Sequence, residues 1–382
     1  MAHLDALIPT LNNAVDVVSR EMVGFIPAVA SDMTFERAAK GQKVQSHVTP
    51  AAKATDIEPD QKPPNDGDQD IGAIEMEITK ARRVPILWTG EERLALDNAG
   101  NQFNLILRDQ IAQGMRTLVN EVEADLAMLH TKASRAVGVA GVTPFASGLG
   151  DTAQALKFLK DNGATGDLQL VIDTTAGANM RTLSQLNKAN EANDESLLRR
   201  GVLLDVHGFA VRESAQIKSH TAGTSASATT NTTGYAVGAT EITLASAGTG
   251  TILVGDAISF AGDSNKYIVV AGDTDVSNGG TVVIATPGLR KAIPTSATAI
   301  TVTAGSIRNM VFPRTAITLA TRTPALPKQG DSAIDRTITT DPISGLSFEI
   351  SVYPGYRQVQ YEVSLAWGCA ATKPEQIGIL LG

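Results

Sequence analysis

From residue 103 to residue 129 the chain repeats one hydrophobic pattern. Phe103, Leu107, Ile111, Met115, Leu118, Val122, Leu126 and Leu129 recur at steps of three and four, the single apolar stripe of a helix with about 3.6 residues per turn. Thr89 followed by Glu92 has the form of a capping box. The pattern therefore predicts a helix over 89–135, with Asn98-Ala99-Gly100 as a candidate break or bend near its start. No second long helix follows, so this one reads as a spine rather than a bundle member.

Other periods flank it. Leu7, Leu11, Val15, Val18 and Met22 predict a short amphipathic helix over 4–23, interrupted near Pro9. It would pack either on its own domain or on a neighbouring subunit. "GQKVQSHVTP" alternates as a strand, and so does "IGAIEMEITKARRVPILW", where Ile74, Met76 and Ile78 share one face. Between them lies "AAKATDIEPDQKPPNDGDQD", too rich in Pro to form a regular element. Residues 41–88 are thus expected to be a long two-stranded ribbon with an acidic tip. Residues 56–70 carry six carboxylates, including Asp66, Asp68 and Asp70, against Lys62 alone. An isolated ribbon is marginal in water, so contact with another chain is expected.

Residues 151–217 read as helix, strand, helix and strand. The first helix would be capped by Asp151 and closed by Gly163, and the last turn would sit at His207-Gly208. Residues 221–304 change character. A low-complexity "TAGTSASATTNTTG" leads into short β runs such as "DAISFAG", "KYIVVAG" and "GTVVIATP", the spacing of a small all-β barrel or sandwich that looks like a separate inserted domain. Beyond 306, "NMVFPRTAITLATR" is a strand followed by a helix start or a second strand. "LSFEISVYPG" and "QVQYEVSLAWGCAA" form an antiparallel hairpin around Pro354-Gly355, with Val359, Tyr361, Val363 and Leu365 on one face. The apolar run "IGILLG" after a turn at Lys373-Pro374 reads as a segment packed down rather than frayed.

Composition narrows the function. The chain has 382 residues, which implies two domains or one elaborated domain. A net charge of -8 argues against coating a nucleic-acid backbone, though not against enclosing nucleic acid without gripping it. One cysteine, Cys369, excludes an intrachain disulfide framework. The N-terminal residues lack a secretory pattern and no apolar run reaches membrane-spanning length, so a cytosolic site of synthesis is expected and no membrane partner.

Candidate chemistry is sparse. The nucleotide-binding, zincin and nucleophile-elbow motifs are all missing. His3, His47, His130, His207 and His220 fall in different elements. Cys369 sits in an apolar run with no base beside it. Counting from Asp66 as a calcium loop, position six is Ile71 rather than Gly, and position twelve, Glu77, lies in a strand. "AGDSN" and "AGDTDVSNGG" lack the nonapeptide period of calcium repeats. Neither an enzyme, nor a cofactor, nor a metal is expected.

Two stretches carry a resemblance. "YEVSLAWGCAATKPEQIGILL", with its Ala371-Thr372-Lys373-Pro374-Glu375-Gln376-Ile377-Gly378 run, and "VGDAISFAG" (254–262) are similar to the coat proteins of P-22-like short-tailed phages. The order of elements resembles the Hong Kong 97-type capsid fold. That resemblance implies an α+β chain with an N-terminal arm (1–40), an extended E-loop ribbon (41–88) and a P-domain with the spine helix (89–150). It further implies a central A-domain (151–220 and 351–382), an inserted β-barrel (221–304) and P-domain return strands (305–350). Trp367, Pro374 and Ile377, with Ile379 and Leu380, would close the A-domain core. The implied function is a major capsid protein forming hexamers and pentamers in an icosahedral shell around double-stranded DNA, with scaffolding and portal proteins as partners. It would be made in the bacterial cytoplasm and end in the virion. Arg82 and Arg83, at the ribbon base, are candidates to face acidic tips. The alternatives are an encapsulin-like shell, which should lack the insert, and a β-rich tail or decoration protein. The chain is shorter than the family's type member, and the insert's charged bridging loop has no counterpart in "GTSASATTNTTG".

Overall fold

The computed structural model describes residues 24–48, 72–98, 103–183, 205–340 and 345–382. The expected arm helix and the acidic tip with Asp66, Asp68 and Asp70 lie outside these residues.

Strand β1 (Ala30–Ala38) leads through a turn into β2 (Lys43–Val48), which pairs antiparallel with β3 (Gly72–Glu77). The second ribbon strand was expected to run through residue 88. It breaks at Ile78-Thr79, and β4 (Lys80–Thr89) leaves for another sheet. The helical stripe resolves into α1 (Gly90–Asn98) and α2 (Phe103–Met128), the latter continued by a 3-10 turn at Leu129–Lys132. The capping box forms in both directions: Thr89 N–H donates to Glu92 Oε2 at 2.9 Å and Glu92 N–H to Thr89 Oγ1 at 3.3 Å.

A short β5 (Arg135–Val137) precedes α3 (Gly150–Asp161), β6 (Leu168–Ile172), α4 (Thr174–Thr182), β7 (Phe209–Glu213) and β8 (Ser219–His220). Asp151 does not cap α3. Leu149 holds the cap position, and the Asp151 carboxylate instead accepts the N–H of Phe145 at 3.0 Å, tying down the preceding loop. Asn162 and Gly163 close the helix, Gly163 at φ +72, the left-handed geometry glycine permits. The His207-Gly208 turn forms as expected, with both residues at positive φ.

Then come β9 (Glu241–Leu244), β10 (Ala257–Phe260), β11 (Lys266–Ala271), β12 (Gly280–Ile284) and β13 (Ile300–Val302). The chain ends with β14 (Ser306–Pro313), β15 (Ile317–Pro324), β16 (Asp335–Thr340), β17 (Ser347–Gly355), β18 (Gln358–Ala371) and β19 (Gly378–Leu381). The second half of "NMVFPRTAITLATR" is therefore a strand. The β17–β18 hairpin turns at Tyr356-Arg357, with Gly355 opposite Gln358, two residues beyond the expected Pro354-Gly355.

Beside the two-stranded β2–β3 ribbon, two large sheets organise the other strands. The first has six, in the order β1-β15-β18-β17-β16 with β4 beside β18. Ala366 and Trp367 pair with both β4 and β15, so those two strands lie on opposite edges of β18. Helix α2 covers one face. Its stripe packs with Tyr361, Val363, Leu365 and Trp367 in one buried cluster. Trp367 thus lies under the long helix rather than in the unit built by α3 and α4, and its indole N–H donates to Asp125 of α2 at 2.8 Å. Ile377 is buried in the same cluster, and Pro374 starts a half-exposed 3-10 turn.

The second sheet has eleven strands, along β13-β10-β11-β5-β19-β14-β6-β7. Residues 221–304 hold an apolar cluster of their own, built from residues such as Ile242, Ile258 and Val282. They are not set apart, however: Lys266 and Tyr267 of β11 pair with Ala136 and Arg135 of β5, joining the insert's strands to the central sheet. β19 runs antiparallel to β14 and parallel to β5. Ile379 and Leu381 face the cluster of the long helix, and Leu380 faces the α3–α4 cluster with Phe158 and Leu170. A strand buried on both faces reads as a continuous apolar run, which explains the "IGILLG" ending.

One polar group breaks the α2 stripe. Glu123 is buried and accepts the N–H groups of Phe25 (2.9 Å) and Ile26 (2.8 Å) and the Ser214 hydroxyl (2.8 Å). Burial raises its pKa above the ordinary glutamate value, partly offset by these three donors.

Leu380→Ala should lower unfolding free energy by about 2–5 kcal/mol, the range for truncating a buried leucine, measured by urea denaturation. Glu123→Gln would set an amide N–H₂ against a buried backbone donor, so a loss of about 1–3 kcal/mol is expected. Above the ordinary glutamate value the folded wild type holds a proton that the unfolded chain releases. Wild-type stability therefore falls as pH rises through that window, and the gap to Glu123→Gln should narrow in denaturation curves across pH.

Candidate assembly surface

The surface begins where the ribbon crosses the six-stranded sheet. Ala366, Gly368 and Ala370 alternate with the helix-facing residues of β18, so they line the opposite face. There Met76 and Ile78 pack on Ala366, Ala320 and Ala38. A Cβ on Gly368 would lie 2.0 Å from the Glu77 carbonyl oxygen, so only glycine lets the two backbones come this close. Backbone bonds between Gly41 and Ile78 (2.9 Å) and between Ile78 and Gln42 (3.0 Å) close the ribbon base. Among the described residues β2 and β3 pair with each other and with no other strand.

β4 carries the charges beside this crossing. Lys80 pairs with Asp125 at 2.7 Å and lies over the Trp367 ring at 5.9 Å. Arg82 faces the helix side and approaches Glu121 at 3.4 Å, while Arg83 faces the ribbon side and bonds Glu362 at 2.6 Å. Both arginine side chains remain more than half exposed, so these ion pairs contribute little to stability. The structure thus gives Arg82 and Arg83 partners within the chain; the acidic tip proposed for them lies outside the described residues.

At the far end of β4 is an open groove of about 720 Å³, lined by Trp88, Phe103, Tyr361, Val359, Arg93 and Arg357. Trp88 meets Phe103 edge-on at 5.3 Å, and Arg93 lies 4.9 Å over the Phe103 ring. On or beside the same hairpin and helix start, Leu87, Leu94 and Tyr356 are 52%, 62% and 88% exposed. Of these three only Tyr356 lines the groove; Leu87 lies on the opposite face of β4 from Trp88.

The titratable groups elsewhere do structural work. Burial pushes the Cys369 thiol up to about 11 and the Asp125 charge adds to the shift, far from the depressed range of a nucleophile. His207 bonds the Thr152 hydroxyl at 2.7 Å. His130 is held down to about 4, mainly by burial, and contacts the Ala127 carbonyl at 3.0 Å. Among the described residues no three His, Cys, Asp or Glu side chains cluster as metal ligands, and no helix is long and apolar enough to cross a membrane. The sequence reading passed over Glu123 and Arg308. Glu123 stands among Glu121 and Asp125, and Arg308 beside Asn309; the only signal is positional, Glu123 falling four residues after Val119 on the apolar helix face and Arg308 two before Met310 on one strand face.

No family model matches the chain, and no curated protein does. Solved structures with a similar course include a chain from Mycobacterium phage Che8, 12% identical, covering 94% of this chain and 91% of its own, at a TM-score of 0.48. A capsid chain of the cyanophage P-SCSP1u is 11% identical over 94% and 88%, at 0.46. A virus-like particle from Pyrococcus furiosus is 12% identical over 97% and 98%, at 0.44.

Gly368→Ala should displace the ribbon base, since the colliding atom is backbone. An overpacking cost of about 1–3 kcal/mol is expected in urea denaturation, with faster proteolytic cleavage near residues 72–79.

Proposed function

We propose that this chain is a major capsid protein, and that its copies assemble as hexamers and pentamers into an icosahedral shell around the double-stranded DNA of a tailed phage. The observation that carries the reading is the packing order. A ribbon whose two strands, among the described residues, pair with no third strand crosses a six-stranded sheet, and a 26-residue helix backs that sheet. Beside it a mixed α+β unit is closed by β19. The C-terminal resemblance to P-22-like coat proteins supports the same assignment, with the E-loop shortened from 41–88 to the ribbon that ends at Ile78 and with 221–304 as the inserted barrel. A free ribbon gains stability only by lying on something, and in a shell that is the next subunit. Many such contacts, individually weak, add up through multivalency.

The net charge of -8 suits a wall that must hold and release DNA without binding its phosphates. Scaffolding and portal proteins are the expected partners, and the virion the destination. An encapsulin-like shell is the alternative; residues 221–304 weigh against it because that shell is expected to lack such an insert.

The test is negative-stain electron microscopy with size-exclusion chromatography of the purified chain, alone and co-expressed with a candidate scaffolding protein. Shells tens of nanometres across, or hexamers and pentamers, are expected. A monomer that persists at high concentration in both preparations overturns the proposal. Reversing both Arg82 and Arg83 to Glu should abolish shells while changing monomer unfolding by no more than about 1 kcal/mol.

A further inference from the structure

At the junction of the long helix, β8 and β14 lies a second, smaller cavity of about 270 Å³, lined in part by His130, His220, Lys218, Ser219, Met128 and Arg308. Arg308 is 1% exposed, and among the described residues none of its three guanidinium nitrogens has a hydrogen-bond partner. Burial lowers its pKa only to about 10, so it carries its charge at neutral pH. A buried guanidinium is ordinarily held by a carboxylate or phosphate in a bidentate fork.

The carboxylate whose charge Arg308 feels is Asp256, and it is already engaged. Asp256 accepts the Leu253 N–H at 2.7 Å and the Gly223 N–H at 3.1 Å, and it bonds His220 Nε2 at 3.0 Å. No Asp or Glu lines the cavity. Ser306, two residues before Arg308 on the same face of β14, is also buried with an unpartnered hydroxyl. Arg308 and Lys218 therefore border a partly enclosed space whose lining holds no carboxylate.

We propose that this cavity is a binding site for a small oxyanion of the phosphate class, gripped by Arg308 and flanked by Lys218. The cavity admits a free ion and not a duplex backbone. Occupancy would join the end of the long helix to β14 and, through His220 and Asp256, to the inserted β strands. This site is independent of the assembly reading: it can be assayed on the full chain in whatever oligomeric state it is purified.

The experiment is thermal unfolding of the full chain over a series of inorganic phosphate concentrations, at constant ionic strength made up with sodium chloride. A saturable rise in Tm is expected, because a ligand that binds only the folded state stabilises it by mass action. Arg308→Met should lose the rise, and Lys218→Ala should weaken apparent affinity by roughly two- to fivefold. A rise no larger than chloride gives, or one unchanged in Arg308→Met, overturns the site. Should Arg308→Met fail to fold, phosphorus NMR of phosphate with the wild type and Lys218→Ala decides. Broadening that is weaker in the variant supports the site; no broadening, or equal broadening, overturns it.

Discussion

Strand β18 is the constraint on which the fold turns. Every peptide group in a buried strand needs a hydrogen-bond partner, and β18 has fourteen residues to satisfy. β4 lies along one edge; β17 and then β15 lie end to end along the other. One face carries Tyr361, Val363, Leu365 and Trp367 against the long helix. The other carries Ala366, Gly368 and Ala370, small enough for the ribbon base to pass. A single strand thus fixes the helix above it, the ribbon below it and the direction in which β4 leaves.

The rest of the molecule is tied to that frame by polar groups at buried points. Glu123 gathers the chain before β1 and the chain after β7 onto one turn of the long helix. The β5–β11 pairing makes the inserted strands an extension of the central sheet, and Arg290 reaches back to the Asp161 carbonyl at 2.9 Å. These links span large sequence separations, so a disturbance in the insert is felt in the sheet that carries β19.

Local features were legible in the sequence because local physics decides them. The capping box at Thr89 and Glu92, the stripe from Phe103 to Leu126, the left-handed His207-Gly208 turn and the alternation of β17 and β18 are all present. What stayed hidden depends on partners far away in the chain. "ARRVPILW" alternates whether it pairs in the ribbon or with β18, so the pattern could not place the break at Ile78-Thr79. β5 is three residues long and gives no period at all, yet it joins the insert to the core. Asp151 has the residue type of a cap but is the second residue of the helix, and a left-handed Phe145 offers it a different N–H. For the candidate surface, composition pointed to Arg82 and Arg83. The groove of Trp88, Phe103, Val359 and Arg357 formed only once β4 and the β17–β18 turn were adjacent.

The position of β19 has a temporal consequence. It follows every other described strand in sequence yet lies between β5 and β14, near the middle of the larger sheet. On the ribosome those two flanking strands emerge long before the one that separates them. Until then the nascent sheet has an open seam, flanked by unpaired backbone edges and by Phe158, Leu170 and Met310, whose neighbour is still unmade. Such a seam is where non-native association starts, and also where a chaperone would find purchase. Vectorial synthesis leaves this sheet without one of its inner strands until the strands on both sides of it have been made.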